Sequence, residues 1–348
     1  MRILIATTHV PFIRGGAEAH AEGLREALQT AGHEAEIVAI PFKWYPPERI
    51  LDHLLACRLF DFTEVAGMKI DRVIGLKFPA YLVPHPNKVV WILHQHRTAY
   101  ELWDHQLSDL IYQPDGLAVR DAIRQADSNL LPEAKRLYAN SGNVAQRLKT
   151  YCNLDAEPLY HPPPNADKFY CAEAEDYLFF PSRLCAPKRQ KLVLEALAHT
   201  REPVKVRFAG APDHPDFAKE LTDLTRKLKL TSRVEWLGPI SEAEKIAQYA
   251  RALGVIYPPV DEDYGYVTLE AMLSRKPLIT CTDSGGPLEF VRPGEDGLVA
   301  APTPKKLAAA MDALWANRTQ AKQWGAAGRE LYESLDITWP HVVRVLTD

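Results

Sequence analysis

The sequence predicts an α/β protein of two Rossmann-like domains in tandem, each a parallel sheet covered by helices on both faces. Three observations carry that expectation. Short continuous apolar runs alternate with longer segments of helical period, the pattern of strands buried between helices. The alternation breaks once, at His161–Phe169 (HPPPNADKF), and then restarts. A chain of 348 residues is also long enough for two domains of ordinary size.

In chain order, Arg2–Thr7 (RILIAT) reads as a central strand, followed by the loop Pro11–Glu18 and a helix from about Ala17 to Ala31, closed by Gly32. Glu34–Ile40 is a second strand, and Pro46–Phe60 a helix whose leucines form one stripe for core packing. Asp71–Leu76 and Lys88–Leu93 are strands, the latter running into His94-Gln95-His96-Arg97. Gly116–Ala126 and Val144–Tyr151 are helices, Arg136–Ala139 and Glu157–Tyr160 strands. Three consecutive prolines at 162–164 fit neither a helix interior nor a central strand, so the domain boundary falls there. Beyond it, strands are expected at Tyr177–Pro181, Val204–Ala209, Val234–Leu237, Gly254–Tyr257 and Pro277–Thr280. Helices are expected at Lys191–His199, Asp216–Leu228, Glu242–Ala250, Tyr266–Ser274, Lys305–Ala316 and Arg318–Glu333. The expected division is 1–163, 164–334 and a C-terminal helix within 335–348, beginning near Trp339, that packs back toward the first domain.

Composition narrows the function classes. A chain 47% hydrophobic and 25% charged is that of a soluble globular protein. Its net charge of −4, without a basic cluster, argues against nucleic acid as a partner. The five cysteines, Cys57, Cys152, Cys171, Cys185 and Cys281, are scattered and never form C-x-x-C, so neither a zinc site nor a disulfide framework is indicated. That suits a reduced, cytoplasmic setting. No apolar run is long enough to span a membrane, and Met1–Thr8 is too short for a signal peptide; contact with the inner membrane surface stays open.

Asp261–Met272 (DEDYGYVTLEAM) is where the residues speak of chemistry. Glu262 and Glu270 stand eight positions apart, after a buried strand closed by Pro258-Pro259 and around Gly265, where a helix begins. The backbone N–H groups near Tyr266 and Val267, with the positive end of the helix dipole, make an anion site. If a phosphate sits there, carboxylates on either side should accept hydrogen bonds from neutral groups, with Glu270 roughly 7 Å along the axis. Hydroxyls flanking a phosphate describe a sugar nucleotide. In Ser182–Lys191 (SRLCAPKRQK), Arg183 leaves a strand and Lys188 opens a helix, where ligands bind in α/β sheets. Two such cations suit the charge gathering on a diphosphate leaving group.

EDYGYVTLEAM resembles the E-x7-E signature of retaining glycosyltransferases of family 4 (group 1). SRLCAPK is similar to that family's R-L-x-x-x-K segment, and Gly15-Gly16-Ala17-Glu18 to its G-G-x-E start. Gly285-Gly286-Pro287-Leu288-Glu289 resembles its G-G-x-x-E turn, and Asn140-Ser141 with Arg147 a segment near the end of its first domain. The resemblance implies the GT-B fold, two Rossmann-like domains facing each other across a crevice, with the acceptor on the first domain and the donor on the second. It implies transfer of a hexose from a UDP-, GDP- or ADP-sugar to a sugar or lipid-linked sugar, with retention, in glycan, polysaccharide or glycolipid synthesis. It gives catalytic places to Glu262, Arg183, Lys188 and His94, with His96 as the alternative histidine. It gives donor contacts to Gly15, Gly16, Gly210, Leu237, Gly238, Tyr264, Gly265, Tyr266, Val267, Thr268 and Glu270.

Other readings have specific weaknesses. A dehydrogenase would need G-x-G-x-x-G after the first strand, and the loop lacks it. Asp261-Glu262-Asp263 spells D-x-D, the metal signature of GT-A enzymes, but it lies deep in the second domain, where Arg183 and Lys188 supply the positive charge. No metal or other cofactor is expected. An epimerase-like GT-B enzyme, a two-lobed ligand-binding protein and a non-catalytic sugar-nucleotide-binding homologue are the rivals. Turnover of a nucleotide sugar separates the last two from an enzyme.

Overall fold

The structure, a computed structural model, describes residues 1–12 and 15–348; Ile13 and Arg14 of the expected glycine-rich loop lie outside the described residues. The chain divides into two units, Met1–Pro164 with Ile337–Asp348, and Asn165–Asp336. All five cysteines are free. Among the described residues, no helix is long and apolar enough to cross a membrane.

In the first unit, β1 (Arg2–His9), β2 (Glu34–Pro41), β5 (Arg72–Gly75), β6 (Lys88–Ile92), β7 (Arg136–Ala139) and β8 (Glu157–Pro158) form a parallel sheet in the order β2-β1-β5-β6-β7-β8. β3 (Glu64–Val65) and β4 (Met68–Lys69) make a small antiparallel hairpin. Its two central residues, Ala66 and Gly67, both have positive φ, as a two-residue hairpin turn requires. The helices are α1 (Gly16–Thr30), α2 (Arg49–Leu59), α3 (Gly116–Leu130) and α4 (Gly142–Cys152).

In the second unit, β9 (Leu178–Pro181), β10 (Val206–Ala209), β11 (Val234–Gly238), β12 (Gly254–Ile256), β13 (Leu278–Cys281) and β14 (Gly297–Ala300) are parallel in the order β11-β10-β9-β12-β13-β14. Its helices are α5 (Gln190–Leu197), α6 (Pro215–Lys227), α7 (Glu242–Arg251), α8 (Tyr266–Leu273), α9 (Pro304–Ala316) and α10 (Arg318–Ser334). The expected strands and helices are present. β14 was not foreseen: four residues behind the turn P-G-E-D-G give too short an apolar run to read as a strand. Residues 97–115, between β6 and α3, hold only short 3₁₀ turns at Arg97–Ala99 and Leu110–Tyr112.

The last helix, α11 (Trp339–Thr347), belongs to the first unit. Thr338 caps it by accepting from the His341 N–H at 3.3 Å. A Cβ on Gly23 of α1 would stand 2.5 Å from the Trp339 ring, so the glycine lets this ring seat against α1. Beneath lies a buried aromatic cluster. The His20 ring stacks on His161 at 4.1 Å and meets Trp91 edge-on at 4.2 Å, and the Trp91 indole donates to the Leu159 carbonyl at 3.1 Å.

Burial holds these imidazoles neutral: His20 is pushed down to about 3 and His161 well below its ordinary value, with His20 adding to the effect on His161. His96 is lowered to about 4 by burial. Each takes a proton in the unfolded chain below pH about 6.5 but not in the fold, so stability falls as pH drops from that value. Asp127, raised to about 6 by burial, has the opposite slope, one group against three. Unfolding free energy from urea titrations is therefore expected to fall between pH 6.5 and 4.5, by at most about 1.4 kcal/mol per pH unit for each histidine. His20→Phe should flatten the curve, and a curve that rises over this range would refute the account.

Candidate active site

The site grows from the carboxyl edge of the second sheet. β12 ends at Ile256, Tyr257 follows, and the loop to α8 carries Glu262. This loop is tied down by backbone bonds. Val260 N–H donates to the Pro187 carbonyl at 2.8 Å, Asp261 N–H to Asp283 at 2.8 Å, Glu262 N–H to Ser284 at 2.9 Å and Gly286 N–H to Glu262 at 2.8 Å. Gly286 lies so close that a Cβ would meet the carbonyl oxygens of Asp263 and Tyr264 at 2.7 Å. The second glycine of the G-G turn is thus demanded by packing against the glutamate loop. Gly285, at φ +68, and Gly265, at φ +82, occupy the region that glycine favours.

Glu262 accepts from the Tyr257 hydroxyl at 2.9 Å and pairs closely with the Lys188 ammonium, which also donates to Tyr257 at 2.8 Å. The pair is largely shielded, with side-chain exposures of 16% and 20%, so it is less screened than a surface ion pair. Glu270 is buried and accepts from Lys245 at 2.9 Å and from the Tyr249 hydroxyl at 2.6 Å. The two glutamates therefore have the same kind of holder, one lysine and one tyrosine each. Each carboxylate thus takes one neutral donor, a tyrosine hydroxyl, and one charged donor, a lysine. Burial, with the adjacent glutamate second, pushes the Tyr257 and Tyr249 hydroxyls well above their usual range, so both stay protonated donors. Lys245 is held up as well: burial opposes its charge, and Glu270 with Glu242 more than offsets that.

Arg183 takes another partner. It forms an exposed ion pair with Asp213 at 2.8 Å, while Gln190 donates to its carbonyl at 2.8 Å. Its backbone adjoins two expected glycines. Gly210 N–H donates to Gly238 at 2.8 Å, and a Cβ on Gly210 would stand 2.1 Å from the Ser182 carbonyl oxygen. Leu237 precedes Gly238, whose φ of +67 ends β11 with open space beside it. The structure thus gathers Arg183, Gly210 and Gly238 at the ends of β9, β10 and β11.

α8 starts at Tyr266 on Gly265, which offers no side-chain cap. Tyr264 and Tyr266 meet edge-on at 5.8 Å. Val267 is buried; Thr268 is fully buried, and its hydroxyl has no hydrogen-bond partner among the described residues. Among those residues, no group of three or more His, Cys, Asp or Glu side chains gathers as a metal site. Asp261 stands at φ +42 with its N–H on the Asp283 carbonyl, and the Asp263 carbonyl faces Gly286.

In the first unit, Gly15 caps α1 in extended backbone, and its N–H donates to Glu18 at 2.8 Å. Its φ of −157 is open to any residue, so conformation does not demand a glycine there; Gly16 is the first residue of the helix. His94 is half-buried, with Nδ1 2.7 Å from the Gln95 carbonyl oxygen, and His96 packs against Phe78 at 5.3 Å. Ser141 caps α4, accepting from Val144 N–H at 3.0 Å, and Arg147 lies 3.4 Å from Glu101. Tyr257, Tyr249 and Lys245 were missed from sequence. The spacing of Lys245 and Tyr249, four apart on α7, could have flagged a shared partner. Tyr257, at the end of an apolar run, reads as core.

Residues 166–331 match the family described as Glycosyl transferases group 1. The alpha-maltose-1-phosphate synthase of Mycolicibacterium smegmatis is 29% identical over 66% of this chain and 64% of its own length. The alpha-1,3/1,6-mannosyltransferase ALG2 of Mus musculus is 30% identical over 56% of this chain. The match spans 54% of that mouse protein, so the chain aligns with little more than half of such relatives. Among solved structures, sucrose-phosphate synthase from Thermosynechococcus elongatus has a TM-score of 0.79 at 17% identity, covering 99% of this chain and 97% of that one. Anabaena HepE in complex with UDP-glucose has a TM-score of 0.72 at 16% identity, covering 100% and 98%. At such identities these two likenesses concern the fold. With two Rossmann-like parallel-sheet units, the chain has the GT-B fold, and its second unit matches the group 1 glycosyltransferases, which family 4 fits.

Proposed function

We propose that this protein transfers a hexosyl unit from a nucleotide-diphospho-sugar to an acceptor hydroxyl, with retention of anomeric configuration and without a metal. The observation that carries the proposal is the Lys188–Glu262–Tyr257 cluster beside the uncapped start of α8. A lysine and a helix N-terminus there suit a diphosphate, and a carboxylate among them suits sugar hydroxyls. One relative is named a mannosyltransferase and one fold neighbour holds UDP-glucose, which supports a sugar nucleotide as the donor. Five free cysteines suit a reduced, cytoplasmic setting.

In this proposal the diphosphate takes Lys188 from Glu262, and Glu262 turns to the hexose hydroxyls. Arg183 leaves Asp213 for the phosphates, at small cost, because an exposed ion pair is worth about 0–1 kcal/mol. Glu270 keeps Lys245 and Tyr249 and offers a remaining lone pair to a ribose hydroxyl. The bond from the anomeric carbon to the phosphate oxygen breaks, and the acceptor oxygen bonds to that carbon on the same face. The departing phosphate takes the acceptor's proton. Both glutamates are committed elsewhere, so neither serves as nucleophile.

Lys188→Ala should lower the transfer rate about a hundredfold, for a loss of about 2–4 kcal/mol of transition-state stabilisation, and Arg183→Ala should do likewise. Steady-state kinetics with the nucleotide sugar check this, and unchanged rates in both variants would remove the clamp. Activity should persist in EDTA; complete loss, restored by manganese, would return Asp261 and Asp263 to a metal role. NMR of fresh product should show the donor's anomeric configuration retained, and Glu262→Gln should cost more in kcat than in donor affinity. An inverted centre would sink the mechanism.

A further inference from the structure

Arg189 follows Lys188 directly and stands where an L-residue is strained. Its φ of +59 and ψ of +39, at the cap of α5, lie in the left-handed region that glycine favours. Such strain persists where the surroundings over-determine it, and it gathers at functional sites. The guanidinium reaches across 94 residues to Asp283, with Nη1 on one carboxylate oxygen at 2.7 Å and Nη2 on the other at 2.6 Å. Two parallel bonds fix direction as well as distance, which a lysine in the same place would not do. The arginine side chain is 19% exposed, so the pair is partly shielded from solvent.

Asp283 belongs to the turn after β13, and that turn carries the loop of Glu262. The Asp283 carbonyl accepts the Asp261 N–H at 2.8 Å, and the Ser284 carbonyl accepts the Glu262 N–H at 2.9 Å. Glu262 and Gly285 form a short parallel bridge. The fully buried Ser284 hydroxyl accepts from the Cys281 N–H and donates to the Pro259 carbonyl, both at 3.1 Å. The turn and the glutamate loop therefore form one piece. On its other side, the Val260 N–H on the Pro187 carbonyl joins that piece to the turn of Lys188 at 2.8 Å. One hydrogen bond sets a distance and leaves rotation about itself open. Arg189–Asp283 is a further contact between the same two pieces, displaced from the first, and it stops that rotation. It gains weight once a diphosphate draws Lys188 away from Glu262, because their ion pair then ceases to hold the pieces together.

We propose that Arg189 is a positioning residue of the transfer: through Asp283 it holds the Glu262 loop in register with Lys188 when their ion pair is separated. Its part in transfer rests on the function proposed above; its hold on the loop does not. Amide exchange in the full chain, read by mass spectrometry, tests the hold. The comparison is made in a Lys188→Ala background, which removes the ion pair without a nucleotide. Adding Arg189→Gly or Asp283→Asn should speed exchange of the peptide covering 258–264 about threefold or more. Glycine at 189 relieves the left-handed strain, so circular dichroism and thermal melting should show a folded protein. Asp283→Asn, which leaves that backbone unchanged, decides the matter if Arg189→Gly fails to fold. Transfer is read with Lys188 intact, as release of nucleoside diphosphate from UDP-, GDP- and ADP-glucose with methyl glucoside and methyl mannoside as acceptors. Each single variant should lower kcat about tenfold while donor KM changes less than about threefold, because placement matters most at the transition state. A loss of folded protein alone would leave kcat per folded molecule unchanged. The double variant should be no slower than the slower single one, since both residues act through one contact. Unchanged exchange in both variants would overturn the proposal, as would unchanged kcat or losses that multiply in the double variant. Faster exchange with no nucleotide release by the unaltered protein would count against the transferase reading alone. Unchanged exchange with normal release would count against this brace alone.

Discussion

The placement of the charged groups depends on how the loop before α8 is tied to its neighbours. Val260 hangs on Pro187, so the turn that carries Lys188 and the loop that carries Glu262 share a backbone bond. Arg189, in the left-handed region at φ +59, grips Asp283 with two bonds of 2.7 and 2.6 Å. The Asp283 carbonyl in turn receives the Asp261 N–H. Three segments far apart in sequence thereby fix one another. Their backbones hold the ammonium of Lys188 within reach of the carboxylate of Glu262.

The repeated lysine–tyrosine holder follows from burial. A carboxylate shielded from water needs its lone pairs met, and a lysine alone would leave some of them open. Tyr249 and Tyr257 meet that need and, with their protons held firmly, each donate to their glutamate. The arrangements differ in exposure. Glu270 is nearly closed off, with a side-chain exposure of 5%, while Glu262 retains 20%. The more open pair can exchange partners at lower desolvation cost, which suits Glu262 to a changing environment and Glu270 to a fixed one.

The first unit solves its own polar burial differently. Asp127 of α3 lies fully buried and accepts from Tyr81 at 2.9 Å, Tyr100 at 2.8 Å and Gln95 at 3.0 Å. Three neutral donors replace a counter-ion, and burial raises its pKa to about 6. Through Gln95 this carboxylate anchors the segment that carries His94 and His96 beyond β6. The stacked His20 and His161 are likewise kept neutral by their surroundings.

The sequence by itself determined the α/β class, the run of strands and helices and the two glutamates with their glycine, because these rest on local period and local turn chemistry. Apolar runs, Gly265 and the prolines after Tyr160 are legible without partners. β14 escaped because four residues after a turn carry too little periodicity. Only the tertiary structure decided the sheet orders and the burial of α11 beside Gly23. It also decided that Arg183 rests on Asp213 while Lys188 rests on Glu262. The holders Lys245, Tyr249 and Tyr257 and the Arg189–Asp283 pair belong to the same class. A hydrogen bond between residues 21 or 25 positions apart is set by how helices pack on a sheet, and no window of local sequence contains that information.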